Sequence, residues 1–97
     1  MSHQPSRRVQ LDRMEELFKA LSSHWRIEIL KDISQNPSSQ SDLNQLLPIE
    51  KSTICRHIKV LNINHLVKMN TKGVLKIISI ENPKIMELLA IAEQIIS

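Results

Sequence analysis

The chain has 97 residues, 41% of them hydrophobic but only 2% aromatic, and a formal net charge of +3. That length fits one domain with a modest core, which must be aliphatic because Phe18 and Trp25 are the only aromatic residues. No run approaches the roughly 18 apolar residues of a membrane span, the polar, basic start is unlike a secretory leader, and the single Cys55 excludes an internal disulfide or a cysteine-pair metal motif. The chain therefore reads as a soluble cytoplasmic protein.

Residues 1–9, with Pro5 and no periodicity, read as a flexible polar arm, and 10–97 as the folded domain. From Leu11 the apolar positions Leu11, Met14, Leu17, Phe18 and Leu21 recur at helical spacing. Ser22-Ser23 reads as a stop and an N-cap, opening a second helix over 24–34 that carries Trp25, Ile27, Ile29, Leu30 and Ile33. Asn36-Pro37-Ser38-Ser39 is a loop by composition. Ser41 is the expected cap of a short third helix, 41–47, with Leu43, Leu46 and Leu47 facing in, and Pro48 ends it.

A fourth helix is expected from Lys51 to Ile63, with Glu50 at its cap. Leu66 to Met69 and Val74 to Ile80 are β-rich runs around Asn70-Thr71-Lys72-Gly73, a hairpin signal holding the only glycine. Asn82 then caps a last helix with Pro83 at its first position. The stripe Ile85, Leu88, Leu89, Ala92, Ile95 and Ile96 is wider than so small a domain needs. The expected fold is mainly α (α+β), in the order α-α-α-α-β-β-α: a helix-turn-helix followed by a two-stranded wing.

The charge is unevenly placed. Lys51, Arg56, Lys59, Lys68, Lys72 and Lys76 fall in a stretch without a single carboxylate, leaving seven basic against ten acidic residues elsewhere. Such a block is the footprint of a polyanion-binding face, and equally of a basic solvated surface. At about 100° per residue, Ile54, Ile58 and Leu61 face the core while Ser52, Arg56 and Lys59 project opposite, flanked by Lys51 and Cys55. A helix of this kind fits the major groove of double-stranded DNA. Arg56 suits a bidentate guanine contact, Ser52 and Thr53 suit base or backbone, and Lys51 and Lys59 suit phosphates. Thr53 equally suits a helix start, and His57 flanks the buried side, where a packed histidine is as good a reading as a DNA contact. On the wing, strand alternation sets Lys68 and Lys76 opposite the expected core residues Val67, Met69, Leu75 and Ile77, with Lys72 at the tip. These lysines suit phosphate or minor-groove contact beside the major groove, and they also protect an exposed edge from aggregation.

Two segments carry a family resemblance. Phe18-Lys-Ala-Leu-Ser-Ser-His-Trp-Arg-Ile-Glu-Ile-Leu30 and Ser52-Thr-Ile-Cys-Arg-His-Ile-Lys-Val-Leu61 resemble the second-helix entry and the reading helix of the ArsR/SmtB family of prokaryotic winged helix-turn-helix repressors. The resemblance spans roughly residues 11–96. It implies a homodimeric transcriptional repressor at palindromic DNA sites, with Lys51, Ser52, Cys55, Arg56 and His57 at the family's reading positions. It also implies a dimer interface from the first and last helices: Leu11, Met14, Phe18, Ile85, Leu88, Leu89, Ala92, Ile95 and Ile96. Cys55 departs from the family's serine and reads more simply as a small side chain that fits than as a redox switch. Many members sense metals through cysteines on the third helix or His and carboxylates on the last. Here residues 41–47 have neither Cys nor His, and the last helix has Glu87 and Glu93 without a histidine. No metal and no cofactor is expected.

An enzyme is not expected, because there is no glycine-rich phosphate loop and no convergent nucleophile and base. The rival reading is a winged helix used for protein–protein interaction, as an adaptor or anti-repressor, which has no need of a carboxylate-free basic face. RNA binding would call for exposed aromatic residues that are absent.

Overall fold

The computed structural model describes residues 5–97. Residues 1–4 of the expected arm lie outside the described residues, and the arm's end is in fact helical. Helix α1 spans Arg7–Leu21, one turn longer than the apolar pattern suggests. The Ser6 hydroxyl starts it by accepting from the Val9 amide at 3.3 Å, which satisfies one of the amides a helix start leaves unpaired. Helix α2, His24–Gln35, begins where expected, with the Ser23 hydroxyl accepting from the Arg26 amide at 3.3 Å.

The expected loop after α2 contains a strand. Ser38–Ser39, β1, pairs antiparallel with Ile77 and Ile78, so the order is α-α-β-α-α-β-β-α rather than α-α-α-α-β-β-α. Two residues are too few to show a strand period. Helix α3, Gln40–Leu46, is capped by Ser39 and not by Ser41. The Ser39 hydroxyl accepts from the Asp42 amide at 3.1 Å, while the Asp42 carboxylate accepts from the Ser39 amide at 3.0 Å, a reciprocal capping box. Leu43 and Leu47 are buried as expected, but Leu46 is 61% exposed. Leu47 is extended (φ −97, ψ 133), as the residue before a proline tends to be, and the turn through Pro48 leads to α4.

Helix α4 is Lys51–Ile63, the expected span. It ends in a Schellman turn: the Leu66 amide donates to the Leu61 carbonyl and the His65 amide to the Asn62 carbonyl, each at 3.0 Å. His65 takes the left-handed position at φ 59, where glycine is usual. Strands β2, Val67–Lys72, and β3, Leu75–Ile80, form the hairpin, and the sheet order is β1-β3-β2. Pairing continues to Lys72 and Leu75, so Asn70 to Lys72 are strand and the loop is only Gly73-Val74. Gly73, at φ 65, supplies the positive φ that a two-residue hairpin loop needs.

The register corrects one assignment of faces. Val67, Met69 and Thr71 lie opposite Ile80, Ile78 and Lys76, while Lys68 and Lys72 lie opposite Ser79 and Leu75. Lys76 therefore shares its face with the buried Ile78 and not with Lys68. Met69 and Leu75, expected in the core, are exposed because the far half of the hairpin is open on both faces.

Helix α5 is Lys84–Ile96. Pro83 (φ −62, ψ −16) is its N-cap and not its first residue, one position later than expected, and the Asn82 side-chain oxygen accepts from the Lys84 amide at 3.0 Å. The core gathers Ile29, Leu30 and Ile33 of α2 with Leu43, Leu47, Ile54, Ile58, Leu61, Ile78, Ile85 and Leu89. Each such side chain contributes about 1.5–3 kcal/mol when fully buried. Among the described residues no helix is long and apolar enough to cross a membrane.

Candidate nucleic-acid interface

Helix α4 is held by Ile54, Ile58 and Leu61, all buried, and this sets what its other side shows to solvent. Lys51, Ser52, Cys55, Arg56 and Lys59 are exposed, as their spacing predicts, while Thr53 and His57 are half-buried at the helix edges. Two or more donors on one convex face, with no carboxylate after Glu50, can meet phosphates and the acceptor edges of bases.

His57 is engaged from behind. Arg26 on α2 directs its Nη1 at His57 Nδ1, 3.3 Å away. Arginine can only donate, so Nδ1 accepts and His57 is the neutral imidazole with its proton on Nε2. Burial, then the cationic Arg26 and Arg56, lower the His57 pKa from its ordinary value, in keeping with that state. The rest of the Arg26 guanidinium grips the end of α1: Nε donates to the Ala20 carbonyl at 2.7 Å and Nη2 to the Lys19 carbonyl at 3.3 Å. Both carbonyls lie in the last turn of α1, where the Lys19 carbonyl also accepts from the Ser22 amide at 3.1 Å, and a cation there suits the helix dipole. The role of Arg26 was not legible in the sequence, although the residue stands inside the first quoted motif.

The wing adds Lys68, Lys72 and Lys76, all exposed. Lys68 and Lys72 lie on one face of the hairpin and Lys76 on the other, so one flat surface cannot use all three in the same way.

A second surface lies on α1 and α5. Leu11, Met14 and Phe18 form an exposed stripe on α1, and Ala92, Ile95 and Ile96 are exposed on α5, with Leu88 half-buried. Ile85 and Leu89 do not belong to it: at 5% and 6% exposed they close the domain's own core. Ile91, which lay outside the expected set, is 54% exposed and extends the same surface. Leu17, Leu66, Ile85 and Leu88 line an open groove of about 420 Å³ that also takes in His65 and Lys84. Lys31 and Glu93 form an ion pair that ties α5 to α2. Among the described residues no three His, Cys, Asp or Glu side chains converge as a metal site would require.

No family model and no curated protein matches the sequence, but solved structures match over nearly the whole chain. The winged helix-turn-helix DNA-binding domain of Mb0332 from Mycobacterium bovis, described as homodimeric and as a possible ArsR-family regulator, superposes with a TM-score of 0.84. The identity is 21%, over 98% of this chain and 89% of that one. The fold is the winged helix-turn-helix. Rv0081 from M. tuberculosis gives a TM-score of 0.82 at 29% identity, covering 95% of this chain and 91% of the other. An ArsR-like transcriptional regulator from Rhodococcus sp. RHA1 gives 0.76 at 23% identity, covering 93% and 83%. In winged-helix terms, α3 and α4 are the helix-turn-helix, and β2 with β3 is the wing.

Proposed function

We propose that this chain is a member of the ArsR/SmtB family: a homodimeric, sequence-specific regulator that binds double-stranded DNA at palindromic sites and represses transcription without a metal signal. One observation carries the reading. Helix α4 is anchored by three buried aliphatic residues and presents Lys51, Ser52, Cys55, Arg56 and Lys59 to solvent, with a lysine-bearing wing next in the chain. Arg56 reads guanine, Ser52 and Thr53 touch base or backbone, and Lys51, Lys59, Lys68 and Lys72 take phosphates, while Lys76 stands on the other face of the wing. The paired copy docks through Leu11, Met14, Phe18, Leu88, Ile91, Ala92, Ile95 and Ile96. The homodimeric description of the Mb0332 domain supports that arrangement.

The test is selection of bound duplexes from a random pool, followed by titration of the winner at several salt concentrations. A dimeric reader returns a two-fold symmetric sequence whose affinity falls steeply with salt, about 0.9 log units per log unit for each phosphate contacted. Added zinc should leave that affinity unchanged, and a reporter promoter bearing the site should be silenced. A chain that retains no duplex at low salt refutes the reading and leaves the protein-interaction module in its place.

A further inference from the structure

We infer that Arg26 is a positioning residue for DNA reading: by holding His57 from behind and the end of α1 from below, it sets the roll of the reading helix. The inference rests on the DNA-binding reading above and assigns His57 to the inside of the site, as an acceptor for Arg26 in place of a DNA ligand.

Three contacts of one side chain carry it. Nε and Nη2 are spent on the Ala20 and Lys19 carbonyls, and Nη1 reaches His57 Nδ1 at 3.3 Å. The planar guanidinium fixes these donors in one fork, so moving α1 relative to α4 breaks at least one bond. Ile54, Ile58 and Leu61 fix which side of α4 faces the core, but they do so through aliphatic packing, and the Arg26–His57 contact adds a directional bond. His57 projects from the edge of that apolar seam, where a directional bond opposes roll. With side chains the helix has a radius of about 5–6 Å, so a roll of about 20° moves an Arg56 or Ser52 contact by about 2 Å. That exceeds the tolerance of a hydrogen bond.

The bond exists only while His57 is neutral. The charged groups acting on His57 are Arg26 from α2 and Arg56 from its own helix, both cationic. Neither Asp42 of α3 nor Lys68 and Lys72 of β2 contributes. Protonation removes the acceptor and sets an imidazolium against the guanidinium, releasing the reading helix. Because the folded chain favours neutral His57, the link is complete above the ordinary histidine range and is lost as pH falls through and below it.

The experiment uses the full chain, with Arg26→Gln and His57→Gln. Glutamine at 57 keeps an acceptor but cannot take a proton. Nitrogen NMR of the imidazoles should find His57 protonated on Nε2 alone near neutral pH. In Arg26→Gln its titration should move up toward the ordinary value, with mixed tautomers. The binding readout is the ratio of affinities for the selected duplex and a shuffled duplex of the same composition. Wild type should lose part of that ratio between pH 7.5 and pH 5.5, and more on further acidification, because the His57 pKa lies below its ordinary value. His57→Gln should hold it constant, and Arg26→Gln should be about tenfold low at both. His57 protonated on Nδ1, or an Arg26→Gln ratio equal to wild type at pH 7.5, overturns the inference. So does the same pH profile for wild type and His57→Gln. If no duplex binds at all, the functional reading falls, and the NMR result alone decides the Arg26–His57 link.

Discussion

Phe18→Ala tests whether the apolar surface on α1 and α5 is built for a second copy. Phe18 is 55% exposed and stands in line with Leu11 and Met14. A phenylalanine side chain offers roughly 200 Å², so about 110 Å² of it faces water in one protomer. Covering that area at about 25 cal/mol per Å² is worth about 2.8 kcal/mol. Alanine keeps a share of the contact, which leaves a loss of about 2 kcal/mol per protomer. A two-fold interface uses the residue twice, so the dimer weakens by about 4 kcal/mol, or close to a thousandfold in dissociation constant. About 90 Å² of Phe18 is already covered within the protomer, so by the same measure the isolated fold loses at most about 2 kcal/mol. Sedimentation equilibrium across several decades of concentration measures the first quantity, and far-ultraviolet circular dichroism checks the second. A wild-type chain that stays monomeric, or a variant with an unchanged dissociation constant, refutes the reasoning.

Three further outcomes are expected. Arg56→Ala should cost about 1–3 kcal/mol on the selected duplex and relax preference at one base pair, whereas Lys72→Ala should weaken all duplexes alike and lower the salt slope by about 1; fluorescence anisotropy at graded salt separates the two. His65→Gly should raise stability by about 1 kcal/mol in urea unfolding, because the left-handed φ of 59 costs a side-chain-bearing residue roughly 1–2 kcal/mol; the exposed contact to Glu81, 3.8 Å away, offsets little of that. Asp32→Asn should stabilise at neutral pH. Burial, then Glu28, raise the Asp32 pKa, and its Oδ2 is buried without a partner among the described residues. A raised carboxyl pKa means that the ionised form opposes folding at neutral pH and that the penalty fades as pH falls through the raised value. Its place in the last turn of α2 adds about 0.3–1 kcal/mol of unfavourable dipole interaction, so urea midpoints should differ at pH 7 and converge on the acid side.

The span and faces of helix α4 were legible because two strong signals coincide there. Ile54, Ile58 and Leu61 recur at the helical period, and every charge on the opposite side has one sign, so span, core face and exposed face all follow from spacing. The misreadings have other physical causes. Ser6 and Ser39 act through cap bonds that reach three residues along the chain, and such bonds leave no hydrophobic period to detect. Strand β1 exists only because β3 offers it a free edge, a tertiary event. Leu75 and Ile77 look like core residues in the sequence, but the buried member of that strand is Ile78, which puts Lys76 on the inner face. The stripe on α5 was seen as one surface, yet it serves two: Ile85 and Leu89 turn inward while Ile91 and Ile95 stay out. Periodicity counts apolar residues and does not say which neighbour covers each of them.

Helix α1 therefore has two duties that meet at Arg26. Its exposed stripe is the surface proposed for a partner copy, and its last carbonyls are the ones that the Arg26 guanidinium holds. The same guanidinium reaches the reading helix through His57. If a second copy fixes α1, the inferred link predicts a bias on α4 through one side chain, and coupling between two binding events is reciprocal. Whatever factor dimerisation adds to duplex affinity, the duplex must add to dimer affinity. In Arg26→Gln that shared factor should shrink toward one on both sides of the cycle, while Phe18→Ala should lower dimer affinity and leave the factor itself intact. Measuring both dissociation constants with and without the second ligand closes the cycle, and a factor in Arg26→Gln as large as in wild type would rule out a route through Arg26.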